Sequence, residues 1–163
     1  MLELLEQGIL QEVKKGKFNK KDMVMTIDFA PTMLDYAGIP IEADMQGKSL
    51  RPILSGKTPK DWRKAIYYRY WMHDDDIHHV PGQYGIRTDR YKLICFYNKP
   101  LGMKRAGNKS YPPSWELYDL KKDPSEMVNL YDNPRYSRIK AMLKKELRNL
   151  KTYYEDEDDL MDR

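Results

Sequence analysis

The hydrophobic pattern of residues 65–154 changes its period once, and that change limits the folds open to this part of the chain. Four short segments with aromatic and aliphatic residues come first, at residues 65–71, 84–88, 91–97 and 115–120, and the first of them is rich in Tyr and Ile. From about 135 to 154, apolar residues recur at helical spacing as Ile139, Leu143, Leu147 and Leu150. Alternation predicts half-buried strands, whereas the longer spacing predicts a helix with one buried stripe. We therefore predict an α+β fold, in which an antiparallel sheet of about four strands packs against a C-terminal helix.

Helical segments precede the predicted sheet. The apolar residues of the first are Leu2, Leu5, Ile9 and Val13. The second covers residues 27–36, with Pro31 in its first turn and Gly38 in the position of a left-handed cap. Residues 39–62 contain several Pro and Gly residues, which indicates an anchored connector.

The net charge of +4 conceals an acidic end and a basic body. Residues 155–163 hold six acids and one base, so residues 1–154 carry 28 bases against 19 acids, or +9. A basic body is compatible with nucleic acid, an acidic membrane surface or a sulfated glycan. The chain has no nucleic-acid-binding motif and no membrane-spanning apolar run, so we predict no nucleic-acid partner and no membrane partner. We expect the acidic tail to be solvated.

Cys95 is the only cysteine, so the chain cannot form an internal disulfide. It lies in an apolar predicted strand, and we expect it to be a buried packing residue. The opening residues lack the long apolar region of a signal peptide, so the sequence does not indicate a compartment.

All three histidines lie in one acidic segment, Met72–His79. Histidine with aspartate can bind a divalent ion, but His78 and His79 are adjacent and no metal-ligand spacing is present. We therefore predict no metal site. Imidazole and carboxylate groups also bind sugar hydroxyls, so His73, His78 and His79 are candidate substrate-binding residues. A solvated polar loop is the alternative.

Two arginines flank the predicted hairpin turn. Arg87 is a candidate ligand for a sulfate or carboxylate, because its planar fork suits both groups. For Arg90 we expect a solvated position or a pairing with Asp89. The segment 98–114 is expected to be an exposed basic loop that contains Lys99, Lys104, Arg105 and Lys109. The aromatic residues expected to lie half in the core and half in a cleft wall are Tyr67, Tyr68, Tyr70 and Trp71.

Several stretches of the chain resemble the C-terminal part of the formylglycine-dependent type I sulfatases. The stretches that carry this resemblance are Met25–Ile39, Met45–Leu50, Tyr84–Ile94, Trp115–Leu120, Asp123-Pro124, Glu126 and Asn129-Leu130. With Tyr67–His73 and His79–Pro81, the chain is most similar to the group acting on 6-sulfated N-acetylglucosamine and related glycosaminoglycan units.

The resemblance implies a division of the chain. Residues 22–64 would be the end of the sulfatase α/β domain and a connector, and residues 65–154 the C-terminal subdomain. Residues 1–21 would be an altered or truncated junction, whose apolar spacing predicts a helix, and residues 155–163 an acidic tail. The family further implies a periplasmic, extracellular or lysosomal location.

The resemblance also implies calcium and a formylglycine nucleophile in the complete enzyme. Formylglycine is made from Cys or Ser in a Cys/Ser-x-Pro-x-Arg motif, and neither Cys95 nor any serine of this chain is followed by that motif. We therefore expect no catalytic residue and no cofactor in this chain, which would be inactive alone. Its partners would be a sulfated carbohydrate and a missing N-terminal catalytic domain. A non-catalytic module that binds sulfated glycans is the alternative.

Overall fold

A computed structural model describes residues 21–156 of the chain. The chain divides into two compact units between Lys64 and Ala65. We call them unit 1, described over residues 21–64, and unit 2, described over residues 65–156. The helix predicted around Leu2 to Val13 lies outside the described residues, as does most of the acidic tail.

The described part of unit 1 contains two short helices. A single 3-10 turn, Thr26–Asp28, leads directly into helix α1, Phe29–Tyr36. Gly38 follows with a φ of 69°, a left-handed conformation that glycine adopts at little cost, so the predicted helix and its cap are confirmed. The predicted connector contains a further short helix, α2, Arg51–Leu54, in which Pro52 occupies the first turn.

The carboxylate of Asp28 joins three segments of unit 1. It is fully buried and accepts hydrogen bonds from the backbone N–H groups of Met25 at 2.7 Å and Lys48 at 2.9 Å. The guanidinium of Arg63 binds its other side. The backbone before Lys48 can lie this close to the 3-10 turn only because residue 47 is glycine. A Cβ atom there would lie 2.0 Å from the carbonyl oxygen of Ile27.

Unit 2 is built on a four-stranded antiparallel sheet whose spatial order equals the chain order. Its strands are β1 Ala65–Tyr70, β2 Gln83–Thr88, β3 Tyr91–Phe96 and β4 Ser114–Asp119. The turn at residues 89–90 joins β2 and β3 as a hairpin, with Arg87 opposite Lys92. The prediction of about four antiparallel strands is confirmed.

A long C-terminal helix, α3 Ser137–Tyr153, packs on one face of this sheet. Leu143 and Leu147 are fully buried against core residues of β2, β3 and β4, among them Ile86, Leu93 and Leu117. Cys95 belongs to the same core, which confirms its predicted packing role. The α+β prediction therefore holds for the sheet, for the helix that covers it and for the helices that precede it.

Two local expectations were wrong. Arg90 does not pair with Asp89. Its Nε and Nη2 donate to the carboxylate of Asp119 at 3.1 and 2.9 Å, because the following strand brings that carboxylate next to the hairpin turn. At the acidic end, Asp156 is not a freely solvated residue, since it lies 2.5 Å from Nη1 of Arg69 and accepts the hydroxyl of Tyr67.

Candidate functional site

Two loops at one end of the unit 2 sheet lie against each other. Residues 71–82 connect β1 to β2, and residues 97–113 connect β3 to β4. The backbone N–H of Gly107 donates to the carbonyl of His73 at 2.6 Å. A Cβ atom at residue 107 would lie 2.5 Å from the carbonyl oxygen of Asp74. Only glycine permits so close a contact between the loops.

The buried ring of His73 fastens the two loops together. Its Nδ1 accepts the backbone N–H of Gly82 at 3.1 Å, which assigns the proton of a neutral ring to Nε2. Nε2 then donates to the carbonyl of Lys109 at 2.9 Å. Both ring nitrogens are thus bonded to backbone, and only 1% of the residue is exposed. His73 therefore fixes the two loops relative to each other without lining the cavity itself.

Asp75 organises the turn that follows His73. Its carboxylate accepts the backbone N–H groups of Ile77 and His78, each at 3.0 Å, and the hydroxyl of Tyr70 at 3.1 Å. Nδ1 of the His78 ring lies 3.1 Å from the same carboxylate. The N–H of His78 has the largest effect, and these bonds together outweigh burial and lower the pKa of Asp75 to about 2. The carboxylate is therefore ionised at neutral pH.

A cavity of about 540 Å³ opens beside this turn. It is lined by Tyr70, Met72, Asp75, Asp76, Ile77, His78 and Arg105. Small-molecule sites typically have volumes of about 300–1,000 Å³. The apolar side chains can pack against the carbon face of a sugar ring, while the acids, the imidazole and the guanidinium can hydrogen-bond its hydroxyls. The cavity is therefore suited to a sugar unit.

The four predicted binding residues do not converge on one point. His78 lines the cavity, with 64% of its side chain exposed. His79 is exposed beside it, in a left-handed conformation with φ of 51°, and its Nδ1 lies 3.4 Å from the carboxylate of Asp74. Arg87 is exposed on β2 next to the hairpin turn, and the antiparallel order places that turn at the opposite end of the sheet from the two loops.

Among the lining residues, His78 was a predicted binding residue and Tyr70 a predicted cleft-wall residue, whereas Met72, Asp75, Asp76, Ile77 and Arg105 were not predicted individually. Asp75 carried a usable signal, because an aspartate followed three residues later by His78 in a polar run is typical of a side-chain-capped turn. Arg105 was predicted only as part of a basic loop. No local pattern ties it to the cavity, since the contact between the loops is long-range in sequence.

The described residues do not fit the cofactors that the sulfatase resemblance implies. Within residues 21–156, no three His, Cys, Asp or Glu side chains are grouped so that they could hold a metal ion. Cys95 is buried in the core and is followed by Phe96, so it does not suit a formylglycine precursor. None of the helices in this described part combines the length and apolarity needed to span a bilayer.

Comparison with known families gives a match to the model described as N-sulphoglucosamine sulphohydrolase, C-terminal, over residues 9–153. The chain is 43% identical over 136 residues to an N-acetylglucosamine-6-O-sulfatase of Bacteroides thetaiotaomicron, covering 82% of this chain and 22% of that protein. It is 35% identical over 116 residues to a Δ4,5-hexuronate-2-O-sulfatase of the same organism, covering 71% of this chain and 21% of that protein.

A solved structure shares the fold of this chain. It shows a protein in complex with its substrate, D-glucosamine-2-N,6-O-disulfate, and superposes with a TM-score of 0.69 at 40% sequence identity. The match covers 83% of this chain and 25% of that one. The chain thus spans about a quarter or less of the length of these relatives.

Proposed function

Because this chain belongs to the sulfatase family, whose C-terminal domain it matches over residues 9–153, we propose that it is the substrate-facing portion of an enzyme that hydrolyses sulfate esters of sulfated sugars. The substrates proposed are glycosaminoglycan or mucin units, with 6-sulfated N-acetylglucosamine as the first candidate. The relative that is 43% identical to this chain is named for that 6-O-sulfate, which supports this choice.

The observation that carries the proposal is the cavity between the two loops of unit 2. Its lining combines two carboxylates, a guanidinium and an imidazole with apolar side chains, a composition that suits an uncharged polar face of a sugar. Asp75 and Asp76 both line it, and their negative charges disfavour a sulfate group there. In this proposal the cavity orients the sugar ring, and the sulfate ester points away towards the catalytic centre.

Each predicted binding residue receives a role in this proposal. His78 contacts the sugar directly, because it lines the cavity. His73 contributes through the loops that it joins. His79 and Arg87 are exposed outside the cavity and would contact further units of a longer glycan.

Catalysis would be supplied by a preceding domain, the proposed partner of this chain. A hydrated formylglycine provides a hydroxyl nucleophile for sulfur, and calcium stabilises charge on the sulfuryl oxygens. The described residues of this chain offer neither group. The isolated chain is therefore expected to release no sulfate from an arylsulfate or from 6-sulfated N-acetylglucosamine, and calcium-dependent turnover by it would contradict this part of the proposal.

The proposal is tested in the complete enzyme with the variant His78→Ala. Losing one hydrogen bond costs about 0.5–1.5 kcal/mol, so kcat/KM for the sulfated sugar should fall by up to about 10-fold. A small arylsulfate needs few sugar contacts, and its kcat/KM should not change. Arg148→Ala, which removes an exposed cation of α3 that does not line the cavity, is the control.

Three results would count against this function. Equal losses on both substrates would assign His78 a structural role. No loss on either substrate would mean that the loop is only solvated. Tight binding of a sulfated glycan by the isolated chain, with no effect of His78→Ala in the complete enzyme, would favour a non-catalytic glycan-binding module.

A further inference from the structure

The ring of His78 is held on one side only. Its Nδ1 lies 3.1 and 3.3 Å from the two carboxylate oxygens of Asp75. Most of the His78 side chain is exposed, and the residue lines the cavity. Because Nδ1 and Nε2 lie on opposite sides of an imidazole ring, Nε2 faces away from Asp75.

The state of Asp75 decides which nitrogen of a neutral His78 ring carries the proton. An ionised carboxylate has no proton to give and can only accept hydrogen bonds. The contact therefore requires a proton on Nδ1, which leaves Nε2 with a lone pair. The same carboxylate is fixed by three further donors, the backbone N–H groups of Ile77 and His78 and the hydroxyl of Tyr70, so it cannot rotate away from the ring without breaking them.

We propose that Asp75 is a positioning residue that makes Nε2 of His78 a hydrogen-bond acceptor, so that this point of the cavity recognises a free hydroxyl and rejects a sulfated one. The inference rests on the proposed function for the identity of the ligand as a sugar. A hydroxyl can donate to a lone pair, whereas a sulfate ester offers only acceptor oxygens.

The charges around His78 act in the same direction. Asp75 and Asp76 line the cavity with it, and Asp74 lies beside the neighbouring His79. Arg105 is the cation of the lining. Two carboxylates against one guanidinium favour an uncharged donor over an anion at this position. The enzyme would therefore select a glycan by two groups. The catalytic centre would bind the sulfate ester, and His78 would bind a hydroxyl that is not sulfated.

His73 supplies an internal control, because its contacts require the opposite tautomer. The Gly82 N–H donates to its Nδ1, so the proton lies on Nε2. Nitrogen-15 chemical shifts of the imidazole rings distinguish the two tautomers. In the present chain at alkaline pH, we expect His73 to show the Nε2–H form and His78 the Nδ1–H form. The variant His79→Asn assigns the third ring, and asparagine tolerates its left-handed backbone.

The variant Asp75→Asn tests the cause of the tautomer. Its Oδ1 can still accept the backbone N–H groups of Ile77 and His78 and so preserve the turn. Its amide would then donate to Nδ1 of His78 and move the ring proton to Nε2, while His73 stays unchanged. Tyr70→Phe removes one bond to Asp75 and should leave the tautomer of His78 as it is. An Nε2–H form of His78 in the unaltered chain, or an Nδ1–H form that persists with Asp75→Asn, would overturn the proposal.

The recognition step is tested in the complete enzyme with monodeoxy analogues of the 6-sulfated sugar. For the analogue that lacks the hydroxyl bound by His78, we expect kcat/KM to be about 10-fold lower than for the parent sugar, mainly through a higher KM. His78→Ala should abolish this difference between the two sugars. Adding Asp75→Asn to His78→Ala should then cause no further loss, because Asp75 acts through His78. Unchanged discrimination in His78→Ala, or additive losses in the double variant, would overturn the inference. The tautomers are measured without turnover. The tautomer prediction can therefore be wrong while the proposed function remains correct.

Discussion

The guanidinium of Arg63 donates to both carboxylate oxygens of Asp28, with Nη2 2.7 Å from Oδ1. Asp28 is fully buried, and only 9% of the Arg63 side chain is exposed. This pair connects the start of α1 to the end of unit 1. Removing one member of a buried pair leaves the other charge uncompensated, which costs more than the intact pair contributes.

We expect Arg63→Ala to lower the free energy of unfolding by about 3–5 kcal/mol. The matched control is Arg51→Ala. Arg51 pairs with Asp35 at 3.0 Å, but 49% of its side chain is exposed, so its loss should cost less than about 1 kcal/mol. Urea unfolding measures both, and similar losses in the two variants would show that the burial of the Arg63 pair does not matter.

Acid should weaken unit 1 through the same carboxylate. Burial alone would raise the pKa of Asp28, but hydrogen bonds from Arg63, Lys48 and Met25 outweigh it and lower the pKa below its ordinary value of 3.8. The stability that this shift contributes is present above about pH 4 and is lost as the pH falls through the lowered pKa. Asp28→Asn should therefore flatten the dependence of unfolding on pH below about 4. Parallel curves for the variant and the unaltered chain would exclude this contribution.

Replacing Leu147 by Ala should destabilise unit 2 by about 2–5 kcal/mol, because the side chain is fully buried between α3 and the sheet. Met142 on the same helix is 53% exposed and serves as the control. Its replacement by Ala should change stability by no more than about 0.5 kcal/mol. Thermal unfolding compares the two, and an unchanged Tm for the Leu147 variant would contradict the burial of this side chain between α3 and the sheet.

The thiol of Cys95 should be unreactive while the chain is folded. It is 1% exposed and lies in the core of the sheet. Reaction with a thiol reagent such as DTNB should be slow in buffer and rapid in concentrated denaturant, since only unfolding exposes the sulfur. Cys95→Ala, without a thiol, gives the background. Fast modification of the folded chain would mean that β3 is more accessible than its packing indicates.

Local periodicity predicted most of the fold of unit 2. The alternation around Tyr91–Phe96 and the helical stripe of Leu143 and Leu147 both depend on short-range spacing, so their elements were predicted to within a residue or two. The partners of Arg90 and Arg69 were not predicted. The Arg90 pairing depends on strand register, and the Arg69 pairing joins β1 to Asp156 after α3, so both form only in the folded chain.

The candidate site was predictable in part for the same reason. The segment around His78 stood out because its histidines and acids are adjacent in the sequence. Its separation into a buried His73 and a cavity-lining His78 depends on Gly107 and Lys109, which come from the other loop. Spacing along one segment cannot reveal which ring a distant loop covers.

The meander order of the sheet has a consequence for how unit 2 assembles. The two-residue turn between β2 and β3 closes the smallest loop, so this hairpin is expected to form first. Bringing β4 onto β3 must close the long segment 97–113, which costs about 2 kcal/mol more chain entropy than the hairpin turn. In a pulsed hydrogen-exchange experiment, the hairpin amides should therefore become protected before the N–H of Gly107. The contact between the two loops would therefore form after the hairpin, and local opening of this contact would abolish the proposed binding of a sugar without unfolding the sheet.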